Sequence, residues 1–448
     1  MPTRDEQTAA RSHSRGRTPA ALAWVLVLVS IAGCGGHTHN TSSRTATSPT
    51  VSRPTTSTGT VGSPTSPVAP AIVETLYGWG RGSPPVPSSW RVPRTVNGAV
   101  GSLKGRAVAS AIPGVVGRIV QITTSNTDGY ALTASGAVWA WGEGLAGELG
   151  DGSRVPFSAS AVQVRFPTGV RIGALPDPVP YEGGMAIDTT GHVWAWGNNT
   201  ARQFCRRSPR YPAVPIEVPL AHVTLAAGAL FHTIYDADGK IYSCGLGNLG
   251  QLGDGARNHR GRPTLVQGLP AGQVVALTSA WGNAGALMAS GTYYDWGYNR
   301  AGQLGDGNTR LADVAVHVPL PGRVVQVSQG GCLPNNGQTM AMLANGSLWE
   351  WGNNRFGQLG NGSTRNALAP LQLTEPPGVH FVRIDSGGAA NYAIDSSGHL
   401  WSWGLDDVGQ LGDGLLTREQ RTPVRDDVIL TQVSSTANEV AGFYDPQG

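Results

Sequence analysis

A short aromatic motif ending in glycine recurs seven times along this 448-residue chain, and that recurrence limits what the chain can fold into. The copies read LYGWGRG (Leu76 to Gly82), VWAWGEGLAGELGDG (Val138 to Gly152), VWAWGNNTARQFC (Val193 to Cys205) and IYSCGLGNLGQLGDG (Ile241 to Gly255). YYDWGYNRAGQLGDG (Tyr293 to Gly307), LWEWGNNRFGQLGNG (Leu348 to Gly362) and LWSWGLDDVGQLGDG (Leu400 to Gly414) follow. Their anchor glycines are Gly80, Gly142, Gly197, Gly245, Gly297, Gly352 and Gly404, spaced by roughly 50 to 60 residues. That spacing suits one four-stranded unit and is too short for an independent domain, so each unit must bury its apolar face on its neighbours. Only 14% of residues are charged and 63 are Gly, which argues against a helical or coiled-coil protein.

Within a unit the signals are those of β-structure. Tight turns containing Gly, such as Asp188-Thr189-Thr190-Gly191 and Asn345-Gly346, lie between short apolar runs and predict a hairpin. Aromatic residues stand at i and i+2 before the anchor, as in Trp139 and Trp141 or Trp349 and Trp351, so each pair occupies one strand face. The chain ends in half a unit, Val428 to Val433 and Val440 to Gly448, and the matching half, Glu74 to Gly80, stands at the other end of the repeat region. Both halves sharing one blade would leave none incomplete. The expected fold is therefore all-β, a seven-bladed propeller closed by pairing of N- and C-terminal strands.

These residues resemble the regulator of chromosome condensation repeat family, whose unit ends approximately in W-G-x-N-x-x-G-Q-L-G. Trp296 to Gly305 and Trp351 to Gly360 match it best, and the resemblance covers Ile72 to Gly448. It implies a seven-bladed propeller. The family's eukaryotic founder is a nuclear nucleotide-exchange factor for a small GTPase, and a secreted bacterial member inhibits β-lactamases, so the resemblance supplies a scaffold without one function. Departures include Arg81-Gly82-Ser83-Pro84-Pro85 in place of GQLGDG, Cys244 in place of an anchor Trp, and Cys205 within the altered loop of the third unit.

The N-terminus speaks to address. Arg4, Arg11, Arg15 and Arg17 precede the apolar run Ala20 to Val29, and Ile31-Ala32-Gly33-Cys34 resembles a bacterial lipobox. The expected layout is a lipoprotein signal peptide over 1–33, a Ser/Thr/Pro-rich disordered tether over 34–71 anchored by lipid on Cys34, and the propeller over 72–448. The net charge of +3 falls to about +1 without the first 33 residues, leaving no field to gather nucleic acid.

Catalytic signatures are sparse. Gly142 to Gly147 and Gly245 to Gly250 fit G-x-G-x-x-G but lie in register with the other repeats, so they read as turns. Each Gly-Asp-Gly turn, at Asp151, Asp254, Asp306 and Asp413, offers one carboxylate where calcium needs six to eight oxygens. No cofactor or metal is expected. Three cysteines follow Cys34; Cys205 and Cys244, in successive units, are the better pair for a disulfide, leaving Cys332.

One loop per unit precedes the hairpin and should gather on one face. Its candidate binding residues are Asn126, Tyr181, Phe231, His232, Trp281, Asn283, Asn335, Asn391 and Tyr392, side-chain types that suit recognition surfaces. Phe231 and Tyr392 equally fit strand starts that pack inward. The resulting expectation is a monomeric, exported lipoprotein, attached to the membrane by lipid only, whose propeller binds an envelope or extracellular protein without catalysis. A carbohydrate-binding module, or an envelope polysaccharide-acting enzyme using Glu182 and Glu439, is the alternative.

Overall fold

A computed structural model describes residues 75–80, 110–125, 128–331, 337–406, 409–412, 418–435 and 439–444. All of these belong to the second of two compact units, Gly33–Gly448. The leader, Cys34 and the tether lie outside the described residues, as do Asn126, Asn335 and Cys332.

The described residues form an all-β propeller. They make seven four-stranded antiparallel sheets, of which six are built from consecutive strands: 119–163, 172–217, 223–265, 274–317, 324–372 and 381–429, here blades 1 to 6. The remaining sheet is composite, with Thr75–Gly80 lying between Ser110–Ala111 and Glu439–Tyr444, and with Gln432–Ser435 at its other edge. Leu76 pairs with Phe443 and Gly80 with Glu439, so the two half-units complete one sheet.

The hairpins form where the turn residues require them. Asp188 Oδ1 accepts hydrogen bonds from the backbone N–H of Thr190 at 2.8 Å and of His192 at 3.0 Å, closing the turn that Gly191 completes at φ 86°. Asp395 does the same for Ser397 and His399. The second strand of each of blades 1 to 6 is buried along its whole length, because it is flanked by strands on both edges and by a neighbouring blade on each face.

Two devices join neighbouring blades. Near the axis, glutamines on first strands cross to the adjacent blade: Gln326 Nε2 donates to the Ile384 carbonyl at 3.0 Å, Leu175 N–H donates to Gln121 Oε1 at 2.8 Å, and Gln432 Nε2 donates to the Val120 carbonyl at 3.3 Å. Farther out, three of the fully buried anchor tryptophans donate to a carbonyl in the preceding blade's loop. Trp196 reaches Glu148 at 2.7 Å, Trp296 reaches Gln251 at 3.0 Å and Trp351 reaches Gln303 at 2.9 Å. Each such indole lies against a loop glycine. A Cβ on Gly150, Gly253 or Gly305 would stand 2.8–3.0 Å from the ring, and these glycines share φ 64°, the left-handed region that favours Gly.

Blade 3 breaks this pattern and repairs it. Its anchor is Cys244, and the residue in the loop-glycine position of blade 2 is Cys205, which keeps the left-handed backbone at φ 55°. The two form a disulfide with Cα atoms 5.2 Å apart, so a covalent bond stands where other junctions have an indole against a glycine.

A candidate recognition face at the propeller axis

The loops after each first strand and the GQLG-type loops after each third strand share one face. Backbone hydrogen bonds tie them in blades 2, 4, 5 and 6: Asn198 to Glu182, Tyr298 to Gly282, Asn353 to Gly337 and Leu405 to Ala389. At the axis this face opens into a cavity of about 240 Å³. Tyr181 and Trp281 border it, both half-buried, and Trp281 is braced edge-on against Tyr298 with ring centroids 5.6 Å apart.

The cavity lining is built from the ends of the first strands. One register position there takes a hydroxyl in four units, Thr123, Thr278, Ser328 and Ser434, but an acid in blade 6, Asp385. One residue farther along the aligned strands, blade 2 contributes a second acid, Asp177, from the irregular segment Leu175-Pro176-Asp177-Pro178. Thr123 and Ser434 each donate to Asp177 Oδ1 at 3.0 Å. Ser328 donates to Asp385 Oδ1 at 3.3 Å, and Ser435 Oγ donates to Asp385 Oδ2. The adjacent residues Ser434 and Ser435 therefore each hold one of the two carboxyls, which brings the acids of blades 2 and 6 to one place.

Their electrostatics follow from that placement. Asp177 is open to the cavity yet surrounded by protein, and this desolvation raises its carboxyl above the ordinary range, against the pull of Ser434 and Thr123. Asp385 is raised by burial first and by the nearby Asp177 second. Asp177, Tyr181 and Asp385 are the titratable groups of the lining, which contains no Lys, Arg or His. Tyr181 sits in the same negative field: burial raises its phenol, and Glu182, Glu143 and Asp128 raise it further.

Of the nine candidate loop residues, the structure brings Tyr181 and Trp281 together at the cavity, and it leaves Phe231 half-buried. Four require correction. His232, Asn283, Asn391 and Tyr392 are buried and bonded inside the blades, because the fully buried second strands already include them. His232 Nε2 meets Ser279 Oγ at 3.0 Å, and burial pushes its imidazole down to about 4. Asn391 donates to the Gln358 carbonyl at 2.8 Å, and the Tyr392 hydroxyl donates to the Gln410 carbonyl at 2.7 Å. Glu182 is turned to Asn198, which donates to it at 2.9 Å, and the side chain of Glu439 lies outside the described residues.

Sequence reasoning passed over Asp177 and Asp385. Superposing the first strands of the units exposes Asp385, since it is the acid in a column of hydroxyls. The face also carries exposed apolar side chains away from the axis: Leu145, Tyr211 and Val214 are 54%, 43% and 43% exposed, and Arg154 bonds the carbonyls of Leu145 and Tyr211.

Comparison with known proteins matches the Regulator of chromosome condensation (RCC1) repeat to residues 238–287 and 345–394. The chain is 26% identical over 311 residues to the E3 ubiquitin-protein ligase HERC2 of Homo sapiens, covering 66% of this chain but only 6% of that much longer protein. It is 28% identical over 305 residues to the ultraviolet-B receptor UVR8 of Arabidopsis thaliana, covering 66% of this chain and 67% of UVR8. Among solved structures, Prp20p of Saccharomyces cerevisiae, studied for its binding to Gsp1p and histones, superposes with a TM-score of 0.69 at 19% identity, over 83% of this chain and 91% of that one. The repeated anchors, the blade geometry and these matches together make the chain similar to the regulator of chromosome condensation repeat family, whose repeat model matches two stretches of it.

Proposed function

We propose that this protein is an exported, lipid-anchored protein of a bacterial envelope whose propeller is a non-catalytic docking platform for a protein partner. The observation that carries the reading is the face itself, where Tyr181 and Trp281 border an open axial cavity and Leu145, Tyr211 and Val214 stand exposed on neighbouring loops. Aromatic side chains beside exposed aliphatic ones are what a protein interface draws on. The leader and Cys34 support an extracytoplasmic address and attachment through lipid. Prp20p, with the same fold, binds proteins.

The full chain, immobilised and exposed to envelope extract, should retain a partner that the Trp281→Ala and Tyr181→Ala variants lose by roughly tenfold or more, with Tm values within about 2 °C of the parent. Retention unchanged in both variants would move the interface off this face. Asp177 and Asp385 favour a second reading, in which the cavity binds or cleaves an envelope polysaccharide. Its test is a glycan array read for binding and for turnover. Sugar cleavage abolished by Asp177→Asn would replace the platform with an enzyme.

A further inference from the structure

We propose that the axial cavity is a receptor for an arginine side chain of the partner, its guanidinium held by Asp177 and Asp385 below Trp281 and Tyr181. The inference deepens the docking reading and rests on it for the source of the arginine, though not for the chemistry of the pocket.

Three observations converge. The lining holds two carboxyls and no cationic side chain, so its charge is uncompensated within the cavity. Both hydroxyls bonded to Asp177 reach Oδ1, leaving Oδ2 for a ligand. The rim, finally, supplies two aromatic rings suited to a cation.

A guanidinium meets these demands together. It carries five N–H donors in a planar fork, matches carboxylate geometry, and stacks on aromatic faces as it enters. Inserted between the two acids, its positive charge also offsets the burial, and the repulsion from Asp177, that raise the Asp385 carboxyl. A hard divalent cation fits less well, since it needs six to eight oxygens, and among the described residues no three His, Cys, Asp or Glu cluster to supply a core of ligands.

Two ligands of the same shape, N-acetyl-arginine amide and N-acetyl-citrulline amide, would be titrated calorimetrically into the full chain. Arginine amide should bind at one site at least tenfold more tightly than citrulline amide, and more tightly at about pH 8 than at about pH 6, because Asp177, with its carboxyl near 6, and Asp385, near 8, ionise over that interval. Tyr181 stays protonated throughout. Asp385→Asn should weaken arginine amide binding. Equal binding of the two amides, or none, overturns the proposal without any variant having to fold, as does calcium binding that arginine amide fails to displace. Loss of the partner from Trp281→Ala combined with no arginine amide binding would leave the platform standing and remove the pocket. Selective arginine amide binding with no protein retained on the face would do the reverse.

Discussion

Asp385 stands where four other units place a hydroxyl, and its position carries a thermodynamic signature. Its folded carboxyl is raised to about 8 by burial and by Asp177, against an ordinary value of 3.8. A raised acid stabilises the fold fully below its unfolded pKa, and that contribution disappears as pH climbs through the folded value. Asp385→Asn should therefore be nearly neutral for stability at about pH 4 and should raise Tm by a few degrees at about pH 8, on the order of 1 kcal/mol, as thermal melts across that range would show. A variant that melts lower than the parent at both pH values would mean that the ionised carboxyl is itself structural. The two acids were hidden in the sequence for different reasons. Asp385 became visible only once the strand register was fixed, whereas Asp177 sits in a Pro-flanked irregular stretch that no repeat template predicts. Conversely, His232, Asn283, Asn391 and Tyr392 read as loop residues because the glycine turn marks the far end of their strand sharply, while its near end has no comparable punctuation.

Between elements, the junctions obey a pairing rule: where one blade offers an indole, the loop of the preceding blade offers a glycine, and Cys244 with Cys205 substitutes for both at once. The chain separation of 39 residues corresponds to about 3–4 kcal/mol in the loop-entropy description, so Cys244→Ser should lower stability by up to that amount. The sharper prediction is the exchange Cys205→Gly with Cys244→Trp, which rebuilds the common junction. It should recover more than half of the stability lost by Cys244→Ser, measured by urea denaturation, whereas Cys244→Trp alone should be worse than Cys244→Ser because the Cys205 side chain blocks the indole. No recovery in the double variant would show that other residues of the blade 2 loop have diverged with the disulfide. The pair was readable in the sequence because both departures from the repeat are cysteines in successive units; that their positions face one another emerged only with the blades assembled.

For the whole molecule, the propeller was legible because the anchors, turns and split unit are local signals repeated many times. The axial cavity was not, since its lining gathers single residues from several blades. The composite sheet makes the fold depend on both ends of the chain. Thr75–Gly80 is bonded on both edges, to Ser110–Ala111 and to Glu439–Tyr444, and Ser434 of the same sheet accepts a hydrogen bond from the Thr124 backbone at 3.1 Å. Removing residues 439–448 should uncover both Thr75–Gly80 and Gln432–Ser435 as sheet edges, and the truncated chain should lose cooperative melting and become sensitive to protease. A truncated chain that melts as sharply as the parent would mean that blades 1 to 6 suffice. The same arrangement sets a timetable for biogenesis. A chain threaded across a membrane N-terminus first would present Thr75–Gly80 early and Glu439–Tyr444 last, so the first strand to emerge must wait, unpaired on one edge, for nearly the whole length of the polypeptide to arrive. Until that last strand arrives, the sheet that joins the two ends of the repeat region stays open.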